Sequence, residues 1–355
     1  MQQTLKPIGE QVIVITGASS GIGLVTAQMA AERGAQVVLA ARNEHDLASA
    51  VAAIVARGGR AIYQVADVSE SAQVHAIADA AVREFGRIDT WVNNAAVAIY
   101  GRLTHVPLRD MRRQFDVNYW GQVHGSLTAV PFLARDGGAL INVASALADR
   151  AIPLQGNYCA AKHALKAFTD SLRMELEEDG LPISVTLVKP GSIDTPLFEK
   201  ARSYIGVEPQ PVPPVYAPEA VASVILECAE HPRRDVIIGG MGKVLSMAST
   251  APRLADRYME RTTFDSQRTD LMLADSRRDN LYEPVAYDGG ERGRNWSGRT
   301  IQRSLYTSAV LHPKRAVAVA AATGVALFAS LRRLKRSLGA ARNGSPRPPS
   351  PRPGG

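Results

Sequence analysis

Residues 12–23 read Val-Ile-Val-Ile-Thr-Gly-Ala-Ser-Ser-Gly-Ile-Gly, and the order of residue types in them decides the fold. Val12 to Ile15 are an apolar, β-branched run of the kind buried on both faces of a parallel sheet. Thr16, Gly17, Ser19, Ser20, Gly21, Ile22 and Gly23 then make a glycine-rich turn spaced G-x-x-x-G-x-G. From Leu24 to Arg33 the apolar spacing becomes helical, and Gly34 supplies the stop. Strand, glycine turn and helix in that order form an anion site. The glycines let backbone approach a phosphate, and the helix N-terminus offers free N–H groups and the positive end of its dipole.

The alternation continues along the chain. Strands are predicted over 37–41, 61–65, 90–93, 139–144, 183–188 and 236–238. Helices are predicted over 44–57, from a Ser69 cap to Phe85, within 107–133, and over 157–178. The last carries Ala161, Leu165, Phe168, Leu172 and Leu176 on one face. This is an α/β pattern: a Rossmann-type, doubly wound parallel sheet of about seven strands with right-handed crossovers. Ligands of such sheets bind beyond the carboxyl ends of the strands.

Tyr158-Cys-Ala-Ala-Lys162 lies in the last of those helices, so the tyrosine and lysine share a face. A tyrosine with an ordinary pKa of about 10 is a weak acid or base at neutral pH. A neighbouring ammonium favours its phenolate, and beside a carbonyl or alcohol it can exchange a proton with the oxygen. Ser145 lies upstream as a second hydroxyl. Cys159 adjoins the tyrosine but points about 100° away on a helix, which makes it a packing residue. The seven histidines show no metal-ligand spacing, and no metal is expected.

Together these motifs resemble the short-chain dehydrogenase/reductase family over roughly residues 8–245. Thr16 to Gly23 matches its T-G-x-x-x-G-x-G turn, and Ser145 stands at the family spacing from Tyr158. The resemblance implies that Asp67 and Val68 touch adenine and that Asn94 and Ala95 belong to the cofactor floor. Here Ala96 replaces the usual glycine of that strand end. It implies the same of Pro190, Gly191 and Thr195 beside the nicotinamide. Asn118, Ser145, Tyr158 and Lys162 then form the catalytic set for reversible hydride transfer between a nicotinamide cofactor and a carbonyl or alcohol. Lys162 also holds the nicotinamide ribose, and Asn118 holds a water linking Lys162 to solvent. A homodimer or homotetramer paired through the helices around 107–133 and 157–178 is likewise implied. With the four catalytic positions intact, a catalytically silent nucleotide-binding adaptor is the disfavoured alternative.

Cofactor choice is read at the end of the second strand, Ala40-Ala41-Arg42. A carboxylate there would bind the adenosine 2′-hydroxyl; its absence, with a guanidinium following, favours NADP(H). Position 20 is serine, so the basic residue that the family's NADP-dependent turns carry is missing, and NAD(H) stays open. The substrate is a small carbonyl or alcohol. A proline-rich connection over 196–217 is expected to act as its lid, with Leu197, Phe198, Tyr204 and Ile205 inward. Those side chains favour a lipophilic substrate over a polar or 3-oxoacyl one.

The formal charge of +7 belongs to the tail, because residues 312–355 hold nine Lys or Arg and no acid. The catalytic unit has no nucleic-acid signature. Two cysteines and no apolar leader indicate a cytoplasmic protein. The expected organisation is a catalytic domain over 1–250, a polar extension or linker over 251–311 outside the family pattern, a basic-flanked apolar helix over 312–336 and a disordered tail over 337–355. The uncharged run 316–331 spans about 24 Å as a helix. That is short of the roughly 30 Å hydrocarbon core, so a shallow anchor on the cytosolic face of a membrane is expected.

Overall fold

A computed structural model describes residues 4–247 and 251–312 of the chain. Seven strands form its central sheet: β1 (Val12–Thr16), β2 (Gln36–Ala41), β3 (Arg60–Val65), β4 (Thr90–Asn93), β5 (Gly138–Val143), β6 (Ile183–Pro190) and β7 (Asp235–Ile238). Their spatial order is β7-β6-β5-β4-β1-β2-β3, and every pairing is parallel. β1 pairs Val14 with Val38 on one side and with Trp91 on the other. The chain therefore winds outward from β1 in one direction, then from β4 in the other, and the reversal leaves a crevice at the carboxyl ends of these two strands. β1, β4, β5 and β6 are buried along their whole length, as their continuous apolar runs require.

The covering helices are α1 (Gly21–Glu32), α2 (Glu44–Ala56), α3 (Ser71–Phe85), α4 (Leu108–Phe115), α5 (Gly121–Asp136), α6 (Gly156–Glu178) and α7 (Pro218–Glu230). Asn43 caps α2 by accepting from the Asp46 N–H at 3.1 Å, and Gly86 ends α3 in a left-handed conformation. The expected cap of α3 at Ser69 is displaced, with Glu70 at the N-cap. Ser69 instead turns its hydroxyl to the Asp67 carboxylate at 2.8 Å. The single helix expected within 107–133 is two helices, α4 and α5, joined by a π-helical turn over Asp116–Trp120. On α6 the predicted stripe faces inward: Ala161, Leu165, Leu172 and Leu176 are buried and Phe168 is half-buried.

Residues 251–307 lie in the same compact unit as the sheet, Met1–Thr307. Their elements are a helix (Pro252–Ser266), a strand (Arg268–Met272) antiparallel to Val207–Pro209, and a strand (Thr300–Ile301) parallel to Val215–Tyr216. The second unit, from Ser308 on, is described only to residue 312. The apolar run 316–331 and the tail lie outside the described residues. Among the described residues no helix is long and apolar enough to cross a membrane.

α5 packs on β4 so closely that a Cβ on Gly125 would stand 2.0 Å from Asn93 Oδ1 and 2.8 Å from Trp91 Nε1. Both neighbours are held, because Trp91 Nε1 donates to Asn93 Oδ1 and Asn93 Nδ2 donates to Asn142 Oδ1. Gly125→Ala is therefore expected to destabilise by about 1–3 kcal/mol, as overpacked cores do. Denaturant unfolding of the two proteins checks this, and an unchanged midpoint contradicts it.

Candidate functional site

The crevice opens into a cavity of about 430 Å³ at the carboxyl ends of the strands. Gly17, Ser19, Ser20, Gly21 and Ile22 line one end, with Arg42, Asp67, Val68, Asn94 and Ala95 beside them. Ser145, Tyr158, Lys162, Pro190 and Gly191 line it further on, and Thr195 lies against Gly21. The predicted residues thus converge, with three set behind the wall: Thr16, Gly23 and Asn118 are buried in its support.

Thr16 and Asn94 tie the ends of β1 and β4 together. The Asn94 and Ala95 N–H groups donate to Thr16 Oγ1 at 3.0 and 3.2 Å, and Asn94 Nδ2 donates to the Thr16 and Gly17 carbonyls at 3.0 and 3.2 Å. Gly17 sits at φ +66° with its missing Cβ 2.7 Å from Ala95 Cα, and a Cβ on Gly23 would be 2.3 Å from the Gly17 carbonyl oxygen. Only glycine fits either place. The turn therefore presents main chain to the cavity at the start of α1, where the Gly21 N–H donates to the Gly290 carbonyl at 2.8 Å, and its form suits the diphosphate of a dinucleotide.

Asp67 accepts from the Ser69 N–H at 3.0 Å and from the Arg113 guanidinium. Burial pushes its carboxyl up, but these donors outweigh burial and hold it below the usual range. It remains an acceptor at neutral pH.

Tyr158 and Lys162 rise from the first turns of α6, and both are buried. Burial pushes the Tyr158 phenol well above its ordinary pKa, with Cys159 adding to the shift and a hydrogen bond with Ser145 opposing it. Lys162 is 1% exposed; its Nζ donates to the Val143 carbonyl at 2.9 Å and lies 5.7 Å from the Tyr158 ring centroid. Burial lowers its pKa to about 7. Ser145, two residues past β5, caps a 3-10 turn over Ala146–Ala148 by accepting from the Leu147 N–H at 3.1 Å. Asn118 is in the π-helical turn, a feature frequent at functional sites. Its amide is spent on one partner, accepting from the Val97 N–H at 2.8 Å and donating to the Val97 carbonyl at 2.9 Å.

Two expectations change. Arg42 lines the cavity already partnered: its guanidinium donates to the Tyr282 carbonyl at 2.9 Å and to the Asn280 carbonyl at 2.5 Å, so a phosphate would share it with them or displace them. Tyr204 does not face the cavity. Its hydroxyl donates to the buried Asp110, which also takes Arg202 Nη1 and the Tyr282 hydroxyl at 2.9 Å each. Leu197 and Phe198 do line the cavity, while Ile205 packs beside Tyr100 and Ala201. Sequence reasoning missed Tyr100, Lys200, and the extension residues Tyr258, Met259, Asn280, Pro284 and Asp288, all in the cavity wall. The extension lies outside the family pattern, and no local signal in it marked these positions.

A family profile described as short chain dehydrogenase matches residues 11–205. An uncharacterised oxidoreductase of Bacillus subtilis, YxnA, is 46% identical over 339 residues, 93% of each chain, so the likeness continues beyond residue 250. The 1-deoxy-11-beta-hydroxypentalenate dehydrogenase of Streptomyces avermitilis is 39% identical over 188 residues, 52% of this chain and 69% of that one. Among solved structures, a short chain dehydrogenase/reductase from Burkholderia phymatum in complex with NAD superposes with a TM-score of 0.61. It has 28% identity and covers 77% of this chain and 100% of its own.

Cys159 packs with Ile152 and Met259, and burial pushes its thiol up to about 11; Cys228 is buried and pushed up to about 12. Neither thiol is expected to react with a thiolate-specific disulfide reagent in the native protein at pH about 8, and both are expected to react once it is denatured. Rapid native titration of either thiol contradicts this burial.

Proposed function

The chain belongs to the short-chain dehydrogenase family of oxidoreductases acting between CH–OH and C=O, and from that premise we propose an NADP(H)-dependent enzyme that interconverts a lipophilic carbonyl and its alcohol. The observation that carries this reading is the shared cavity: a backbone phosphate cradle at one end, and Ser145, Tyr158 and Lys162 at the other. When bound, the nicotinamide supplies or accepts the hydride.

In the reducing direction Tyr158 donates its proton to the carbonyl oxygen, and its raised pKa keeps that proton in place until transfer. Ser145 donates a hydrogen bond to the same oxygen and orients it. Lys162, as an ammonium close to the Tyr158 ring, stabilises the phenolate left behind. It also holds the nicotinamide ribose. The Asn118 side chain is committed to Val97, so it fixes the π-helical turn. Asp67 and Val68 flank the adenine; Pro190, Gly191 and Thr195 flank the nicotinamide.

Leu147, Ile152, Ile193, Leu197, Phe198 and Met259 surround the catalytic end and favour an apolar substrate. Leu127 on α5 and Met174 on α6 are 55% and 56% exposed, which supports a homodimer or homotetramer paired through these helices. The same reading keeps the catalytic unit cytoplasmic, with a membrane contact through residues 312–336.

Tyr158→Phe is expected to lower kcat by roughly 10²–10⁴ with NADPH binding nearly intact. Steady-state rates within about threefold of the parent's would contradict the mechanism. Lys162 is charged below its pKa of about 7 and neutral above it. Reduction, measured as kcat/KM for the cofactor, is therefore expected to hold below that pH and to decline above it. Lys162→Met should lower the rate and erase the inflection; a parent profile flat across that pH contradicts the role of the charge.

A further inference from the structure

The glycine turn carries no basic residue of its own, yet a cation stands on it. Lys200, at the end of a one-turn helix over Leu197–Lys200, donates from Nζ to Ser20 Oγ at 2.8 Å. Its side chain is 12% exposed. Lys200, Ser20 and Arg42 all face the cavity at its adenosine end. Arg42 follows β2, where a dinucleotide's adenosine 2′-position is read.

The partners of these two cations come from the extension. Lys200 Nζ donates to Asp288 Oδ1 at 3.0 Å, its only ion pair among the described residues. Arg42 is held by the Asn280 and Tyr282 carbonyls, which bring no charge, and lies 3.8 Å from Asp67, whose carboxylate already takes Arg113. Main-chain bonds fix the segment that delivers Asp288. The Gly21 N–H donates to the Gly290 carbonyl at 2.8 Å, Asn43 Nδ2 donates to the Val285 carbonyl at 2.8 Å, and the Asp288 N–H donates to Asp46 Oδ2. Residues 280–290 thus strap over the turn and place one carboxylate against Lys200.

We propose that Lys200 and Arg42 are the pair that binds the cofactor's adenosine 2′-phosphate, and that Asp288 is an internal anion that holds Lys200 until the phosphate displaces it. A buried ammonium needs an anion or it destabilises the fold. A phosphate of charge about −2 with three acceptor oxygens outcompetes one carboxylate for two cations. Without that phosphate, the cofactor's remaining anion is its diphosphate, which both cofactors carry and which therefore cannot discriminate between them. Discrimination then comes from Arg42 after β2 together with Lys200 of the 196–217 connection and Asp288 of the extension, the last two far from the turn in sequence. The proposal rests on the NADP(H) reading above.

The test is calorimetric titration of the full-length protein with 2′,5′-ADP and with 5′-AMP, which differ only in the 2′-phosphate. The parent is expected to prefer 2′,5′-ADP. Lys200→Met should weaken 2′,5′-ADP by about 10- to 100-fold, the size of a lost charge-assisted bond, while 5′-AMP changes little. Lys200→Arg should restore most of the loss, which separates charge from folding. Asp288→Asn should tighten 2′,5′-ADP about threefold or more by removing the competing anion. If the parent prefers 2′,5′-ADP but Lys200→Met leaves it unchanged, this inference fails and the cofactor reading stands. If the parent prefers 5′-AMP and Asp288→Asn weakens it, both fail, and Asp288 is the acceptor of the ribose hydroxyl.

Discussion

The tie between Thr16 and Asn94 is the constraint on which the site depends. It joins β1 to β4 at the place where the winding of the sheet reverses, and it uses both the hydroxyl of Thr16 and the main chain on either side of it. Because Asn94 Nδ2 reaches the Gly17 carbonyl, the glycine turn is pinned at its start, and the absence of a Cβ at Gly17 and Gly23 lets α1 close on it. The result is a floor of backbone N–H and C=O groups held in place by two side chains, the Thr16 hydroxyl and the Asn94 amide. Everything that faces the cavity is positioned against that floor.

Burial then sets the chemistry. Tyr158 and Lys162 are adjacent on α6 in a region where desolvation disfavours charge on either, so the phenol is held protonated and the ammonium is brought to the edge of neutrality. A second buried polar cluster works differently. Asp110 is inaccessible to solvent but takes Arg202, Tyr204 and Tyr282, and their donors outweigh burial and keep it ionised. Those partners come from the 196–217 connection and the extension, so one carboxylate on α4 anchors both. Arg202 also lies over the Tyr282 ring, 5.2 Å from its centroid, and pairs with Asp279 at 3.0 Å.

What the sequence disclosed and what it hid divide along sequence distance. The strands and helices of the sheet are local patterns, and Val12–Thr16, Thr90–Asn93 and the α6 stripe are legible from periodicity alone. The proposed catalytic set is legible because its spacing is a motif. The π-helical turn at Asp116–Trp120 is not announced by the sequence, since no glycine or proline lies within it. Tyr204 reads as apolar lid, yet its hydroxyl finds Asp110 far away in the chain, and a buried acid draws the one polar atom the side chain has. Lys200 reaches Ser20 across 180 positions, and Arg42 reaches Asn280 across 238. No periodicity encodes such contacts; they follow from the paths of the 196–217 connection and of the extension.

The account's central claim is that the cavity brings a reduced nicotinamide and a substrate carbonyl together so that hydride passes directly between them. The most direct measurement uses NADPH deuterated at the transferred position with a panel of lipophilic ketones and aldehydes, followed by mass spectrometry of the alcohols. The account predicts one deuterium on the carbinol carbon of at least one product, and none when Tyr158 is phenylalanine. Alcohol formed without deuterium, or no alcohol from any member of the panel while the protein binds NADPH, would contradict it.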